Sequence, residues 1–412
     1  MGFERLKSGS VEAWTYLIRS NNRLINETVV YVADEEVDDR TTRYHLSLAG
    51  QSEPITLLLR ESNSSEIAFY QQFASAVAHL TPRCWIAQED EYGQNGCLIL
   101  DDSENHHPPA TWSKTDLVRL MGHLAYLHAR YWNQGVLLSS YLRPHPIYQE
   151  DLTAGIIDGF KFGSREMLFF PLTSEEEAQS KAIFKAKFRS PSRIISAMKR
   201  LQVDSMWSGV ISDQHLEAIS ALLYEPEAIF DPLRSVPVTI LHGQPIPINW
   251  SINLLDGVTL PDWHRVSAGP GILDVAALVE DFVVWNTIEP DAHAQVNGSL
   301  QELLLDSYFL ALNARIRDFT GDSSRLSTRF LRRSAYPAAV CWHVLTYWIP
   351  KLLTNMELDQ PLFDMHHPPQ YDPRRETEVW VNDHYKIQLS ATFNRFLDAY
   401  KLLKTSPVEV YD

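Results

Sequence analysis

Apolar and polar residues alternate with a period of two in Thr42-Arg43-Tyr44-His45-Leu46-Ser47-Leu48, and Thr28-Val29-Val30-Tyr31-Val32 is β-branched and aromatic. Both stretches read as strands. Ile55-Thr56-Leu57-Leu58-Leu59-Arg60 reads as a third, more buried strand, and Cys97-Leu98-Ile99-Leu100 as another, ending on Asp101-Asp102. Between the first two strands, Asp34-Glu35-Glu36-Val37-Asp38-Asp39 is predicted to form an acidic turn. Val11 to about Arg19 reads as a short helix, and Ser65 to about His79 as another with a Ser N-cap.

The period changes after Ser113. Leu117, Leu120, Met121, Leu124 and Leu127 recur at three-and-four spacing, which predicts a helix over Asp116 to Trp132 with Ser113 as a possible N-cap. Residues 150 to 235 read as helices broken at Ser190-Pro191-Ser192, and Val238 to Leu241 as a short buried strand. Helical periods return beyond Asp274, around Leu303 to Ile316, Ala335 to Leu353 and Ile387 to Leu403, while Asp364 to Arg375 reads as a loop. The pattern predicts an α+β chain, with a small β-rich part at 1–102 and a large helical part at 103–412.

Composition narrows the partners. At 412 residues, 45% hydrophobic and 21% charged, the chain is an ordinary globular one. A net charge of −16 argues against nucleic acid and against an anionic membrane surface. No run has the length of a membrane span, and Cys84, Cys97 and Cys341 lack metal-ligand spacing, which fits a reducing cytoplasm.

The candidate chemistry lies in segment 241–276. His242-Gly243-Gln244 is followed five residues after Gln244 by Asn249, then by Asp262-Trp263 and by Asp274 in Gly271-Ile272-Leu273-Asp274. With Tyr126-Leu127-His128-Ala129-Arg130-Tyr131-Trp132 and Leu98-Ile99-Leu100-Asp101-Asp102, this order resembles the aminoglycoside phosphotransferase and choline kinase family of the protein kinase-like fold. The resemblance implies a two-lobed fold with a small β-rich N-lobe and a large helical C-lobe. It also implies transfer of the γ-phosphoryl group of ATP or GTP, with Mg²⁺, to a hydroxyl of a small-molecule or peptide acceptor.

Residue by residue, the resemblance assigns Asn249 and Asp262 to the metal, and Gln244 and His242 to the catalytic loop, His242 mainly to pack it. Asp274 would brace that loop. Arg60 and Glu66 would form the phosphate-binding pair, with Leu100 and Asp101 in the nucleotide hinge. Three positions depart from the family. Gln244 stands where the family has an Asp, Arg60 stands for a Lys, and the acidic run replaces a glycine-rich cradle. An amide has no useful basicity near neutral pH, so Gln244 orients a hydroxyl without deprotonating it. Two readings follow: a phosphotransferase with weak activity, or a pseudokinase that binds a metabolite or protein partner. Adenylyl transfer, or phosphorylation followed by elimination, is a third chemistry open to a remodelled site. Asp256 and Glu280 are carboxylates open to the role of substitute base.

The plain readings of the same residues stand beside these. Outside its motif His242 is an ordinary buried histidine, Asn249 and Asp262 a cap and a turn residue, Glu66 a helix-surface carboxylate and Arg60 a solvated strand end. His106-His107 and His366-His367 read as loop histidines, and Trp207, Trp250, Trp263, Trp285, Trp342 and Trp348 as core or pocket wall.

Overall fold

The computed structural model describes residues 3–21, 27–38, 40–89, 95–102, 112–149, 190–203, 209–252, 257–288, 300–321, 326–350 and 374–405, with 152, 156, 185, 188, 352 and 353 besides. Asp256, Trp207, both histidine pairs and most of the predicted loop from Asp364 lie outside these residues. The chain divides into two compact units. The first is Met1–Pro109 with Ser140–Arg143 and Ile248–Ser267; the second is Ala110–Ser139, Pro144–Pro247 and Ala268–Asp412. Segment 241–276, expected within the helical part, is therefore shared by both.

In the first unit, helices α1 (Phe3–Lys7) and α2 (Val11–Asn21) precede strands β1 (Val29–Asp38), β2 (Thr41–Leu48) and β3 (Ile55–Asn63). Helix α3 (Ser64–Gln72) and strands β4 (Cys84–Glu89) and β5 (Asn95–Asp101) complete an antiparallel sheet in the order β1-β2-β3-β5-β4. The acidic run, expected as a turn, is strand instead. Asp34 to Asp38 continue β1, because Asp34, Glu35 and Glu36 pair in register with Tyr44, Arg43 and Thr42. Strand β4 was not predicted from the sequence; its Cys84-Trp85-Ile86 run is short but lies between Pro82 and the polar Gln88-Glu89.

Period-two burial on β2 turns Tyr44, Leu46 and Leu48 to one face, where Trp14, Leu17 and Ile18 of α2 pack on them. The Trp14 indole donates to the Leu6 carbonyl and the Tyr44 hydroxyl to that of Lys7, so both helices are tied down. Helix α3 starts one residue before the predicted Ser65 and is capped by Asn63, whose side chain accepts from the Glu66 N–H at 3.0 Å. At Gly96 a Cβ would lie 2.1 Å from the Gln88 carbonyl oxygen, so β4 and β5 approach closely only with glycine there.

The second unit begins with α4 (Lys114–Arg130), set by a capping box in which Ser113 and Asp116 satisfy each other's backbone N–H groups. Helices α5 (Gly135–Ser139), α6 (Pro191–Val203), α7 (Asp213–Tyr224) and α8 (Glu227–Arg234) lead to β6 (Val238–Leu241), which pairs with β9 (Ser267–Pro270). The intervening β7 (Ser251–Ile252) and β8 (Val258–Thr259) belong to the first unit. Helices α9 (Ile272–Ile288), α10 (Leu300–Thr320), α11 (Tyr336–His343) and α12 (Arg374–Thr405) follow. A π-helical turn adjoins α11 at each end, Leu331–Ala335 and Val344–Trp348. Among the described residues no helix is long and apolar enough to cross a membrane.

Candidate functional site

Arg60 lies on β3 opposite Thr41 of β2 and Leu98 of β5. Alternation along the strands puts Leu58, Leu98 and Leu100 on its face of the sheet, together with Arg43 and His45 of β2 and Tyr31, Ala33 and Glu35 of β1. Asp101 pairs across from Leu57, so its side chain leaves the opposite face, where it accepts the Trp85 indole N–H at 2.6 Å. Of the two predicted hinge residues, only Leu100 therefore shares a face with Arg60. Toward the sheet edge the Arg60 face turns polar. Arg43 holds Asp102 at 2.6 Å and Glu35 at 3.2 Å, and His45 meets the Thr56 hydroxyl at 3.2 Å.

The Arg60 guanidinium joins two carboxylates. One nitrogen pairs with Glu66 on α3 and the other with Asp262 Oδ1 at 3.2 Å. Glu66 has no exposed surface, and besides Arg60 it accepts from the Ser62 hydroxyl at 2.6 Å and the Trp263 N–H at 2.9 Å. Burial raises the Glu66 carboxyl above its ordinary pKa, with Arg60 opposing and Asp262 adding to the rise. The plain reading of Glu66 as a surface carboxylate is thus overturned. Asp262 has φ +64°, a left-handed backbone rare for a residue with a side chain. Its Oδ1 also meets His264 Nδ1 at 2.6 Å. A carboxylate only accepts, so that imidazole nitrogen carries the proton. Burial lowers the His264 pKa while Asp262 pulls it up. Trp263 between them is fully buried and stacks on Phe69 at 4.0 Å, so it is core rather than cleft wall; Trp250 is 2% exposed.

The second unit holds the loop with His242 and Gln244. Asp274, at the start of α9, accepts the His242 N–H at 2.7 Å and the Gly243 N–H at 3.0 Å. Gly243 has φ +88°, a conformation that favours glycine. On its other side Asp274 faces His128 of α4 at 3.5 Å, and His128 Nδ1 meets the Tyr308 hydroxyl of α10 at 2.7 Å. Gly271 makes room for that imidazole, since a Cβ there would lie 2.6 Å from His128 Nδ1. His242 is fully buried and its Nδ1 accepts the Gln244 N–H at 3.3 Å, a packing role. Gln244 is only 4% exposed. His128 and Tyr308 were not assigned to this loop from the sequence; the linkage spans 180 residues of chain.

The chain is similar to aminoglycoside phosphotransferases and choline kinases of known structure. The aminoglycoside phosphotransferase of Alicyclobacillus acidocaldarius is 12% identical, with 93% of each chain covered and a TM-score of 0.46. The choline kinase LicA of Streptococcus pneumoniae is 11% identical over 96% of this chain and 99% of its own, with a TM-score of 0.42. A spectinomycin phosphotransferase solved with ADP and spectinomycin is 11% identical over 96% and 97%, with a TM-score of 0.37. No family model and no curated protein sequence matches the chain.

Glu280 is excluded as a substitute base. It is 5% exposed, the Arg395 guanidinium grips both of its oxygens and the Tyr336 hydroxyl donates to one of them. Asn249 ends a single turn, Pro247–Asn249, and is half-buried. With Asp262, whose side chain is 38% exposed, it offers the hard oxygen donors that Mg²⁺ takes. Among the described residues no three His, Cys, Asp or Glu side chains gather into a cation site. Any Mg²⁺ held by Asn249 and Asp262 would need further oxygen donors from a ligand or water.

Proposed function

We propose that this chain is a phosphotransferase-like protein of kinase-like architecture, binding a nucleoside triphosphate at Arg60 and transferring its γ-phosphoryl group slowly to a hydroxyl of a small molecule or peptide. The observation that carries this reading is the Arg60–Glu66 pair. Glu66 is buried and fixed by Ser62 and the Trp263 backbone, so it orients the guanidinium toward the partly exposed Asp262. A guanidinium held this way can pair with a phosphate oxygen through the nitrogen that faces Asp262. Asn249 and Asp262 would hold Mg²⁺ against those phosphates, where the ion supplies charge neutralisation. Leu58, partly exposed on the same sheet face above the buried Leu98 and Leu100, offers apolar surface for a base. Gln244 would orient the acceptor hydroxyl through its amide, on a loop that Asp274 braces. Because phosphoryl transfer runs through a loose transition state, lack of a base slows the step by roughly 10²–10⁴ and does not abolish it.

Thermal shift with ATP or GTP and Mg²⁺, followed by transfer of label from γ-labelled nucleotide to a panel of hydroxyl compounds, tests this. A nucleotide-dependent rise in melting temperature with slow transfer is expected, and Gln244→Asp raises that transfer by about 10²-fold or more. Absence of both the shift and the transfer would overturn the reading.

A catalytically inactive pseudokinase is the second reading. Gln244 supports it, and so does the Glu35–Arg43–Asp102 network, which sets charged groups on the face where a base would otherwise find apolar surface. It expects Gln244→Asp to leave transfer absent even where nucleotide or another ligand binds.

A further inference from the structure

Strand β1 is an edge of the sheet among the described residues. Helix α2 closes only its start, where Thr15 Oγ1 accepts the Val29 N–H at 3.1 Å. From Tyr31 to Glu36 the strand keeps unbroken register with β2, and the two irregularities sit at its ends, at Val29/Tyr31 and Glu36/Asp38. Among the described residues no backbone group from Tyr31 to Glu36 has a partner other than β2. Tyr31 is 62% exposed, Val30 57% and Val37 47%, a concentration of large apolar side chains beside one edge. The carboxylates of Asp34, Glu35 and Glu36 are exposed along the same stretch; Glu35 meets Arg43 at 3.2 Å and His45 at 4.0 Å.

Edge strands that avoid partners are short or covered, are bulged in mid-strand, or carry Pro or charged side chains, Lys above all. Val29–Asp38 is ten residues long, contains neither Lys nor Pro, and is regular in its middle. Its acidic run selects among partners. In an antiparallel pair of two β1 strands, these carboxylates would face one another, and like charges placed opposite are destabilising. A basic extended segment meets no such repulsion. Its backbone would continue the ladder, Lys or Arg side chains on one face would meet Asp34 and Glu36, and apolar residues on the other would cover Tyr31 and Val37. We propose that β1 is a docking edge for a basic, extended segment of another polypeptide, joined by strand addition.

Fluorescence anisotropy with the full chain tests this, using a labelled peptide of about ten residues that alternates Lys with Val and Tyr. Binding that weakens with added salt is expected. Three changes should each weaken it about tenfold or more: Glu in place of Lys in the peptide, N-methylation of its alternate amides, and the variant Asp34→Lys/Glu36→Lys, checked by an unchanged melting temperature. Hydrogen exchange at residues 31–36 should slow when the peptide is bound. Equal binding of the N-methylated peptide would show charge attraction without strand pairing and overturn the proposal. Absence of binding overturns it too. Protection of 31–36 that grows with protein concentration in the absence of peptide would assign the edge to a second copy instead.

Discussion

Arg60 in the first unit and Arg395 in the second are both arginines held by a buried glutamate, and a second, exposed carboxylate meets only Arg60 among the described residues. Arg395 meets a single carboxylate, Glu280, in a two-pronged contact, and Tyr336 completes the shell. Arg60 is shared between Glu66, which is buried, and Asp262, which is 38% exposed. A cation gripped at two points by one buried anion is neutralised by it. A cation shared with an exposed anion is exchangeable, because an incoming anion can take the place of Asp262 while Glu66 keeps the guanidinium aimed. Burial of the second carboxylate, rather than the presence of an arginine, separates a structural pair from a candidate site.

The largest expected effect comes from breaking the closed pair. Arg395→Met leaves Glu280 buried beside only the Tyr336 hydroxyl, and removal of one member of a buried ion pair costs about 3–5 kcal/mol. Glu280→Gln in the same chain should recover part of that loss, since no unpaired charge remains. Urea unfolding followed by tryptophan fluorescence measures both. A loss below about 1 kcal/mol for Arg395→Met would mean that Glu280 is not held as a buried charge.

The shared pair gives a graded outcome that sharpens the contrast. Glu66→Ala removes the acceptor for Arg60, Ser62 and the Trp263 N–H together, and a lost buried hydrogen-bond partner costs about 1–3 kcal/mol. Asp262→Asn removes only the exposed partner, worth about 0–1 kcal/mol. Their effects on anion binding should be opposite in sign. With metal absent, Asp262→Asn strengthens inorganic phosphate binding by releasing one side of Arg60, whereas Glu66→Ala weakens it by losing the orientation. Calorimetry with phosphate in EDTA reads both, and equal effects from the two variants would remove the distinction between the partners.

Local chemistry was legible in the sequence; long-range pairing was legible only where a motif carried it. Ser113 could be read as a cap because helix start signals lie within a few residues, and the structure completes the box with Asp116. The bracing of His242 and Gly243 by Asp274 came from the order of the resembling motif and is met by hydrogen bonds across 32 and 31 residues. The contact of Arg60 with Asp262, 202 residues apart, has no signature in either segment. Asp and Glu disfavour strands as residue types, which predicts a turn for the acidic run, while pairing with Tyr44, Arg43 and Thr42 makes it strand. Glu280 looked available as a base because a sequence does not show that Tyr336 and Arg395 converge on it.

The smallest expected effect lies in the second unit, at a group held neutral rather than charged. His215 is the third residue of α7, and its Nδ1 accepts the Ser212 N–H at 2.9 Å, with the Ser212 hydroxyl also 2.9 Å away. Burial lowers its pKa below the ordinary imidazole value. A protonated ring has no lone pair on Nδ1, so protonation removes the acceptor and loosens this helix start. The sign follows from linkage. A histidine whose folded pKa is depressed contributes stability above its unfolded value near 6.5, and loses it as pH falls through the lower folded value. His215→Gln keeps an acceptor at the position where capping boxes carry Gln, without a titrating group. Between pH 7 and pH 5 the native chain should therefore lose about 1 kcal/mol more than this variant, the usual worth of a helix cap. Parallel stability curves for the two proteins would show that His215 packs beside Phe393 without capping α7, leaving the neutral pair with no part in stability.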